Sequence, residues 1–270
     1  MTSLMTSWHC GKTDQYIIDK FISSDNCLKL MIIEDLCSSN SRHDLFKNLF
    51  ELDNVSLNSN NIPFIRAISS NNIIIFNYLL EKGGNISNGE IKKIIIDMNY
   101  CIKIDTLKFF IEYGVDFVSD TELIEKYIGY NDDKVKLLIE NGVNPNASTS
   151  NGYLLEIAAK KSIYSTCKLL ILHGADPSLN NSLCLSFAIQ HAREDIIKLF
   201  LQYGANTSFV TAADFILMLK KSPSIDLINF LINYGFDLSI INTYKFVRNN
   251  QVFEKLLEVG VDPIQLINCI

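Results

Sequence analysis

The chain has 270 residues, of which 48% are hydrophobic, and a formal net charge of −6. The apolar content is ample for a packed core, whereas the negative charge and the lack of a long basic run argue against a nucleic-acid partner, which needs a concentrated footprint of lysine and arginine. No apolar stretch has the length of a signal peptide or a membrane span. We therefore expect a cytoplasmic protein that binds neither nucleic acid nor membranes.

Residues 1–60 are predicted to form a helical cap. Two apolar stretches, at 28–36 and 44–52, predict a pair of helices. The second carries an apolar stripe that recurs in later segments, but Asp53-Asn54 stands where those segments have a glycine. The pair is therefore interpreted as a degenerate repeat, because one face of an end repeat meets water and its sequence is usually atypical.

Two short motifs in this segment suggest chemistry, and both are incomplete. The Gly-Lys-Thr sequence at 11–13 matches the end of a phosphate-binding loop, but the position of the loop's first glycine holds Thr6. The His-Cys pair at 9–10 could begin a zinc site, but no other histidine has a cysteine at ligand spacing. Neither a nucleotide nor a metal ion is predicted.

From residue 61 onward, one sequence mark recurs about every 30 residues. It is a glycine, one further residue, and then an Asp or Asn. The glycines are Gly83, Gly114, Gly142, Gly174, Gly204, Gly235 and Gly260. The residues two places on are Asn85, Asp116, Asn144, Asp176, Asn206, Asp237 and Asp262. This period predicts that residues 61–270 form about seven stacked repeats with a short C-terminal cap.

Each glycine ends an apolar stripe. The residues seven, four and three places before it are apolar in every copy, and this spacing places them on one face of a helix. The glycine then supplies the left-handed conformation that ends the helix. A shorter first helix is predicted upstream, where three copies have a small residue that allows close packing: Ala67, Ala158 and Ala188.

The second half of the repeat resembles the ankyrin-repeat family. Residues 170–177 read Leu-Ile-Leu-His-Gly-Ala-Asp-Pro, close to the family consensus. The family's Thr-Pro-Leu-His turn aligns with 62–65, 121–124, 153–156 and 183–186, where one Pro and one Thr remain. The resemblance implies an all-α solenoid of stacked antiparallel helix pairs. A tetratricopeptide array is the alternative, but its Trp-Leu-Gly-Tyr pattern is absent.

No catalytic constellation stands out in the sequence. The carboxylate pairs Asp132-Asp133 and Glu194-Asp195 fall just before second helices, where acids cap backbone amides. The aspartates that follow the glycines, from Asp116 to Asp262, recur too regularly to be a single site, and they are interpreted as structural. The seven cysteines are scattered and are interpreted as reduced thiols. We therefore predict no enzymatic activity, no metal and no cofactor.

The resemblance also implies a protein-binding surface. In ankyrin-like proteins the concave face is built from hairpin tips and first-helix faces. The matching positions here, two residues past the alanine or its equivalent, are Ser69, Lys160, Gln190 and Lys220. We predict a non-catalytic interaction module that binds a cellular or host protein through this face. The alternative is a substrate adaptor of a ubiquitin-ligase complex.

Two further features concern origin and association. The composition is rich in Ile, Asn and Lys, and it is similar to that of the ankyrin families encoded by giant DNA viruses of amoebae, in which case the cytoplasm is that of the host. Residues 264–270 are apolar and resemble the first helix of an uncompleted repeat. They form either a short cap, which gives a monomer, or an exposed edge that recruits another protein or a second copy.

Overall fold

The structure is a computed structural model. It describes residues 12–52, 61–98, 101–238 and 250–260. The chain forms two compact units, Met1–Lys126 (unit 1) and Tyr127–Ile270 (unit 2). Helices account for most of the described residues, in which one antiparallel pair of short strands occurs, β1 (Ser148–Thr149) and β2 (Gly152–Tyr153).

Unit 1 is a stack of helix pairs. Its helices are α1 (Asp14–Ile22), α2 (Asn26–Cys37), α3 (His43–Leu52), α4 (Ile62–Ser69), α5 (Ile73–Glu81), α6 (Asn88–Met98), α7 (Ile104–Glu112) and α8 (Thr121–Tyr127), of which only the last residue of α8 belongs to unit 2. The first helices α2, α4 and α6 lie side by side, and α2 and α4 each pack on the second helix that follows. The predicted pair at 28–36 and 44–52 corresponds to α2 and α3, on which the unpredicted α1 packs.

Unit 2 repeats the same arrangement. Its helices are α9 (Asp132–Glu140), α10 (Leu154–Lys160), α11 (Tyr164–Leu172), α12 (Leu179–Gln190), α13 (Glu194–Gln202), α14 (Ala212–Leu219), α15 (Ile225–Tyr234) and α16 (Asn250–Glu258). The first helix α12 packs between α10 and α14, and the second helix α11 packs between α9 and α13. Within each unit, the predicted all-α fold of stacked antiparallel helix pairs is confirmed.

Every predicted helix-ending glycine has a left-handed backbone, with φ from 83° at Gly83 to 102° at Gly142. The residue after each of the first six glycines donates back to a carbonyl of the last turn. In the copy that ends at Gly174, the N–H of Ala175 donates to the carbonyl of Leu170 at 2.9 Å. A Cβ added to Gly174 would meet nothing within 4 Å. The left-handed conformation, rather than crowding, therefore requires glycine at this position.

The predicted stripes line the core, but the residue three places before the glycine is only half-buried in four copies: Leu80, Ile111, Ile232 and Leu257. The residues seven and four places before the first six glycines are buried: Phe76, Leu79, Leu107, Phe110, Val135, Leu138, Cys167, Leu170, Ile197, Phe200, Ile228 and Leu231. The seventh copy differs, because α16 buries Val252 and Leu256 and leaves Phe253 half-buried. The three predicted alanines of the first helices are fully buried, as close packing requires.

The Asp and Asn residues after the glycines close turns. Asp116, Asn144, Asp176 and Asn206 each accept a hydrogen bond from the backbone N–H two residues on, at 2.8 or 2.9 Å. This is the Asx turn, in which a short polar side chain substitutes for a backbone acceptor. At these four positions the structural interpretation is therefore confirmed, whereas Asp262 lies outside the described residues.

The carboxylate pairs at 132–133 and 194–195 lie in the first turns of α9 and α13. The cap of α9, however, is Asn131, whose side chain accepts from the backbone N–H three residues on at 3.0 Å. Asp195 forms an ion pair with Arg193 at 2.8 Å. The acids thus stabilise helix starts by charge and pairing, while a neighbouring residue occupies the cap position.

Some predictions concern residues outside the described ranges: the His-Cys pair at 9–10, the Asp-Asn turn at 53–54 and the apolar segment at 264–270. The predicted boundary between the helical cap and the repeats, at residue 60, also lies outside the described ranges and stays a prediction. Of the Gly-Lys-Thr motif, Lys12 and Thr13 are described, and the hydroxyl of Thr13 has a structural role. This hydroxyl caps α1 by accepting a hydrogen bond from the backbone N–H of Tyr16 at 3.3 Å.

Candidate functional site

The four predicted contact residues occupy equivalent places in their repeats. Each lies two residues before a residue with positive φ, in the loop that ends a first helix: Ser69 before Asn71, Lys160 before Ser162, Gln190 before Ala192 and Lys220 before Ser222. In unit 2 they stand at the carboxyl ends of α10, α12 and α14, which pack side by side. The structure therefore brings Lys160, Gln190 and Lys220 to one edge of unit 2, and Ser69 lies in unit 1.

Two lysine pairs flank this edge of unit 2. Lys160 and Lys161 follow one another at the end of α10, Lys220 and Lys221 do so at the end of α14, and all four side chains are exposed. The Nζ of Lys160 lies 5.9 Å from the centre of the Phe187 ring. Lys161 donates to a backbone carbonyl of the preceding repeat at 2.9 Å. Cations at these places also complement the helix dipole.

His191 and Arg193 lie on the loop after α12, between the two loops that carry the lysines. The Nδ1 of His191 is 2.6 Å from the hydroxyl of Ser162. Arg193 donates to the backbone carbonyl of Ser162 and to the carboxylate of Asp195. Burial and the nearby charges of Lys221 and Arg193 lower the pKa of His191. The imidazole is therefore neutral near neutral pH.

The side chain of Gln190 also has a structural role. Its side-chain amide donates to the carboxylate of Asp214 at 2.7 Å. The same carboxylate accepts from the backbone N–H and the hydroxyl of Thr211, at 2.8 and 3.0 Å, and from the hydroxyl of Ser186 at 3.3 Å. Asp214 is buried, so these donors replace the water that its charge would otherwise require.

Sequence reasoning misses the set of carboxylates to which Asp214 belongs. Each accepts from the backbone N–H three residues earlier and from a side-chain amide of a neighbouring repeat. The pairs are Glu90 with Asn61, Glu156 with Asn180, and Asp214 with Gln190, at 2.7, 2.8 and 2.7 Å. The local half of this signal is present in the sequence, as Ser-x-x-Glu at 87–90 and Thr-x-x-Asp at 211–214.

Ser69 lies on a groove of unit 1 between α4 and α6, with a volume of about 470 Å³. Ile65, Ile94 and Met98 supply its apolar lining, and Asp97 stands among its polar residues. Ile65 is 40% exposed and could contact an apolar side chain of a partner. The groove is therefore a recess of unit 1 that lies beside one predicted contact residue, Ser69.

The reactive groups away from these surfaces are dispersed or buried. Burial raises the pKa of Cys167 to about 12, so the thiol stays protonated and packs as a small hydrophobe. Across the described residues, no three His, Cys, Asp or Glu side chains come together as metal ligands would. In the same part of the chain, none of the helices has the length and apolarity that crossing a bilayer requires.

Comparison with known proteins identifies the repeat. Residues 123–214 match the family model of ankyrin repeats in three copies. The chain is 27% identical over 254 residues to a protein of Acanthamoeba polyphaga mimivirus that is named as an ankyrin repeat protein, and the match covers 86% of this chain and 80% of that protein. A second mimivirus protein of that name is 29% identical over 124 residues, 43% of this chain and 40% of the relative. A protein of Rickettsia bellii that is also named as an ankyrin repeat protein is 30% identical over 171 residues, and the match covers 57% of this chain and 42% of that protein.

Proposed function

Because the chain is an ankyrin-repeat protein similar to those of mimivirus, and ankyrin repeats indicate a protein–protein interaction module, we propose that it binds a cellular or host protein and catalyses no reaction. The contact surface is the first-helix face, which forms the concave side in ankyrin-like proteins. The protein acts as a monomer in the cytoplasm, that of the host cell if its source is a virus.

One observation carries this proposal: the equivalent positions at the ends of α10, α12 and α14 are polar and lie on a single edge. Lys160 and Lys220 are exposed, and Gln190 uses its amide to bond Asp214. A polar edge on a packed helical stack suits reversible and specific binding, because charged groups at the rim of an interface set partner choice and association rate.

Proximity labelling with the full chain in expressing cells tests this function. The test variant carries Lys160→Glu and Lys220→Glu. Because each reversal replaces attraction by repulsion, we expect labelling of the true partner to fall about tenfold, while circular dichroism shows an unchanged fold. Labelling that is unaffected by both reversals would move the contact surface away from this edge.

The control variant carries Lys136→Glu and Lys168→Glu, which change the net charge equally on the second helices α9 and α11. It should retain the partner. The same experiment addresses the alternative function. A substrate adaptor would bring a ubiquitin-ligase subunit into the labelled set, and that subunit should persist in the variant that loses the partner.

A further inference from the structure

The first-helix edge of unit 2 carries a concentrated positive charge on a chain that is acidic overall. The four side chains Lys160, Lys161, Lys220 and Lys221, called the lysine edge here, are exposed at the ends of α10 and α14. The chain as a whole has a net charge of −6. Attraction of an anionic partner to this edge must therefore be local, over about one Debye length of 8 to 10 Å.

Two carboxylates beside the lysine edge, Asp195 and Asp214, are already engaged by other groups. Asp195 forms an ion pair with Arg193, and Asp214 accepts from Gln190 and Thr211. In the part of the chain that the structure describes, no ion pair joins Lys160, Lys161 or Lys221 to a carboxylate. Their positive charge is thus available to an acidic group supplied by another molecule.

Hydrogen bonds between neighbouring repeats hold the loops after α10 and α12 in place. Arg193 donates to the carbonyl of Ser162, and the hydroxyl of Ser162 contacts the ring of His191 at 2.6 Å. Lys161 is bonded in turn to the carbonyl of Ile128. Little ordering is therefore required when a partner docks, which favours affinity because pre-organised groups lose less entropy on binding.

The spacing of the lysine edge sets a length scale. Packed helices lie about 8–10 Å apart, so α10 and α14, with α12 between them, place their lysine pairs on the order of 20 Å apart. An extended peptide rises about 3.3 Å per residue, so about six residues cover that distance. At the centre of the edge, Gln190 is uncharged, His191 is neutral near neutral pH, and the charge of Arg193 is partly offset by its ion pair with Asp195.

We propose that the lysine edge of unit 2 binds an extended, anionic segment of the partner protein in which the centres of two acidic pairs lie about six residues apart. The acidic groups are Asp or Glu carboxylates or phosphoserines, which share the chemistry that lysine recognises. This inference rests on the proposed interaction function and adds the chemical class and register of the partner.

Fluorescence anisotropy with the full chain tests the proposal at low salt. The probe is a labelled octapeptide, Glu-Glu-Gly-Ser-Gly-Ser-Glu-Glu, and the reference is a peptide of the same composition with its four glutamates contiguous. We expect the spaced peptide to bind about fivefold more tightly, because only it reaches both lysine pairs. A phosphoserine version distinguishes phosphate from carboxylate as the preferred group.

The test variant carries Lys160→Glu and Lys221→Glu, which spare the bonded Lys161. It should bind the spaced peptide about tenfold more weakly, whereas the control reversal at Lys136 and Lys168 should change binding less than twofold. Equal binding of the two peptides, or an equal loss in the control variant, would overturn the proposal. So would tighter binding of an RNA oligonucleotide or of anionic vesicles through the same lysines.

Failure of this proposal is distinguishable from failure of the proposed function. If the cellular partner is still labelled by the Lys160→Glu/Lys221→Glu variant, the interaction module stands and the lysine edge is not its acidic-segment site. If no partner is labelled by any form of the protein, the interaction function itself fails.

Discussion

The side-chain amide of Gln190 donates a 2.7 Å hydrogen bond to the buried carboxylate of Asp214, 24 residues further along the chain. The bond joins the end of α12 to the first turn of α14. A buried carboxylate is stable only when donors replace its water, and Gln190 supplies one of them. A predicted contact residue is thus also a structural residue, so its substitution would affect both stability and binding.

Replacing Asp214 by Ala should lower the free energy of unfolding by about 2–4 kcal/mol, because the cap of α14 is lost and Gln190, Ser186 and Thr211 lose their acceptor, which leaves the buried hydroxyl of Ser186 unsatisfied. Urea denaturation followed by circular dichroism measures the change. The control is Asp133→Ala, an exposed acid in the first turn of α9, which should change stability by less than about 0.5 kcal/mol. A loss at Asp214 no larger than that at Asp133 would contradict the structural role.

The local features of the fold are predictable from sequence because each is encoded within a few residues. The apolar stripe, the left-handed glycine and the Asx turn all lie within about a dozen positions of one another. Their repetition then implies stacking, since no single copy can bury its own stripe. The positions of Ser69, Lys160, Gln190 and Lys220 follow from the same counting, which is why their structural equivalence could be expected.

Other features depend on contacts between distant residues and could not be derived this way. The acidic residue in Ser-x-x-Glu or Thr-x-x-Asp is visible locally, but its amide partner lies 24 to 29 residues away. The groove of unit 1 depends on how α4 and α6 pack. Residues 180–182 have positive φ, so the regular part of α12 begins only after them. No glycine in this segment indicates the left-handed backbone from the sequence.

Two nearby glycines should respond in opposite ways to alanine. Gly83 has φ of 83° and ends a helix, so Gly83→Ala should cost about 1–2 kcal/mol through the left-handed backbone alone. Gly89 lies inside α6, where the Cβ of an alanine would meet only the hydroxyl of Ser87 at 4.0 Å. Gly89→Ala should therefore stabilise the protein by about 0.5–1 kcal/mol.

Thermal and urea unfolding of the two single variants provide the measurement. A Gly83→Asn variant should lose less than Gly83→Ala, because asparagine tolerates the left-handed region. Equal destabilisation by Gly83→Ala and Gly89→Ala would contradict the assignment of the loss at Gly83 to its left-handed backbone.

Removing one buried hydroxyl should stabilise unit 2. Tyr127 is fully buried, burial raises its pKa, and its hydroxyl has no hydrogen-bond partner among the described residues. Tyr127→Phe removes this unsatisfied group and keeps the ring, over which the amine of Lys134 lies at 4.8 Å. We expect a gain of up to about 1 kcal/mol in urea denaturation. Tyr203→Phe, at a half-exposed ring, should be neutral, and a clear loss in Tyr127→Phe would reveal a hydroxyl that is satisfied in solution.

The lowered pKa of His191 predicts a pH dependence of stability. Burial is the largest cause, followed by the charges of Lys221 and Arg193. Because the folded pKa lies below the unfolded value of 6.5, the native state favours the neutral ring. Its contribution is fully present above the unfolded pKa and is lost as the pH falls through the folded one. Stability should therefore decline on acidification below about pH 6.5, and His191→Gln should reduce that decline.

Nuclear magnetic resonance titration of the ring protons separates the causes of this shift. The groups that face the ring are Ser162, Arg193, whose charge is partly offset by Asp195, and Lys221. Lys221→Gln removes one cation, so it should raise the pKa of His191 towards its ordinary value. Lys168→Gln, on the second helix α11, should leave that pKa unchanged because screening weakens charge effects beyond about 10 Å. An equal response to both substitutions would mean that the overall charge of the chain, rather than the cations of the lysine edge, controls the imidazole.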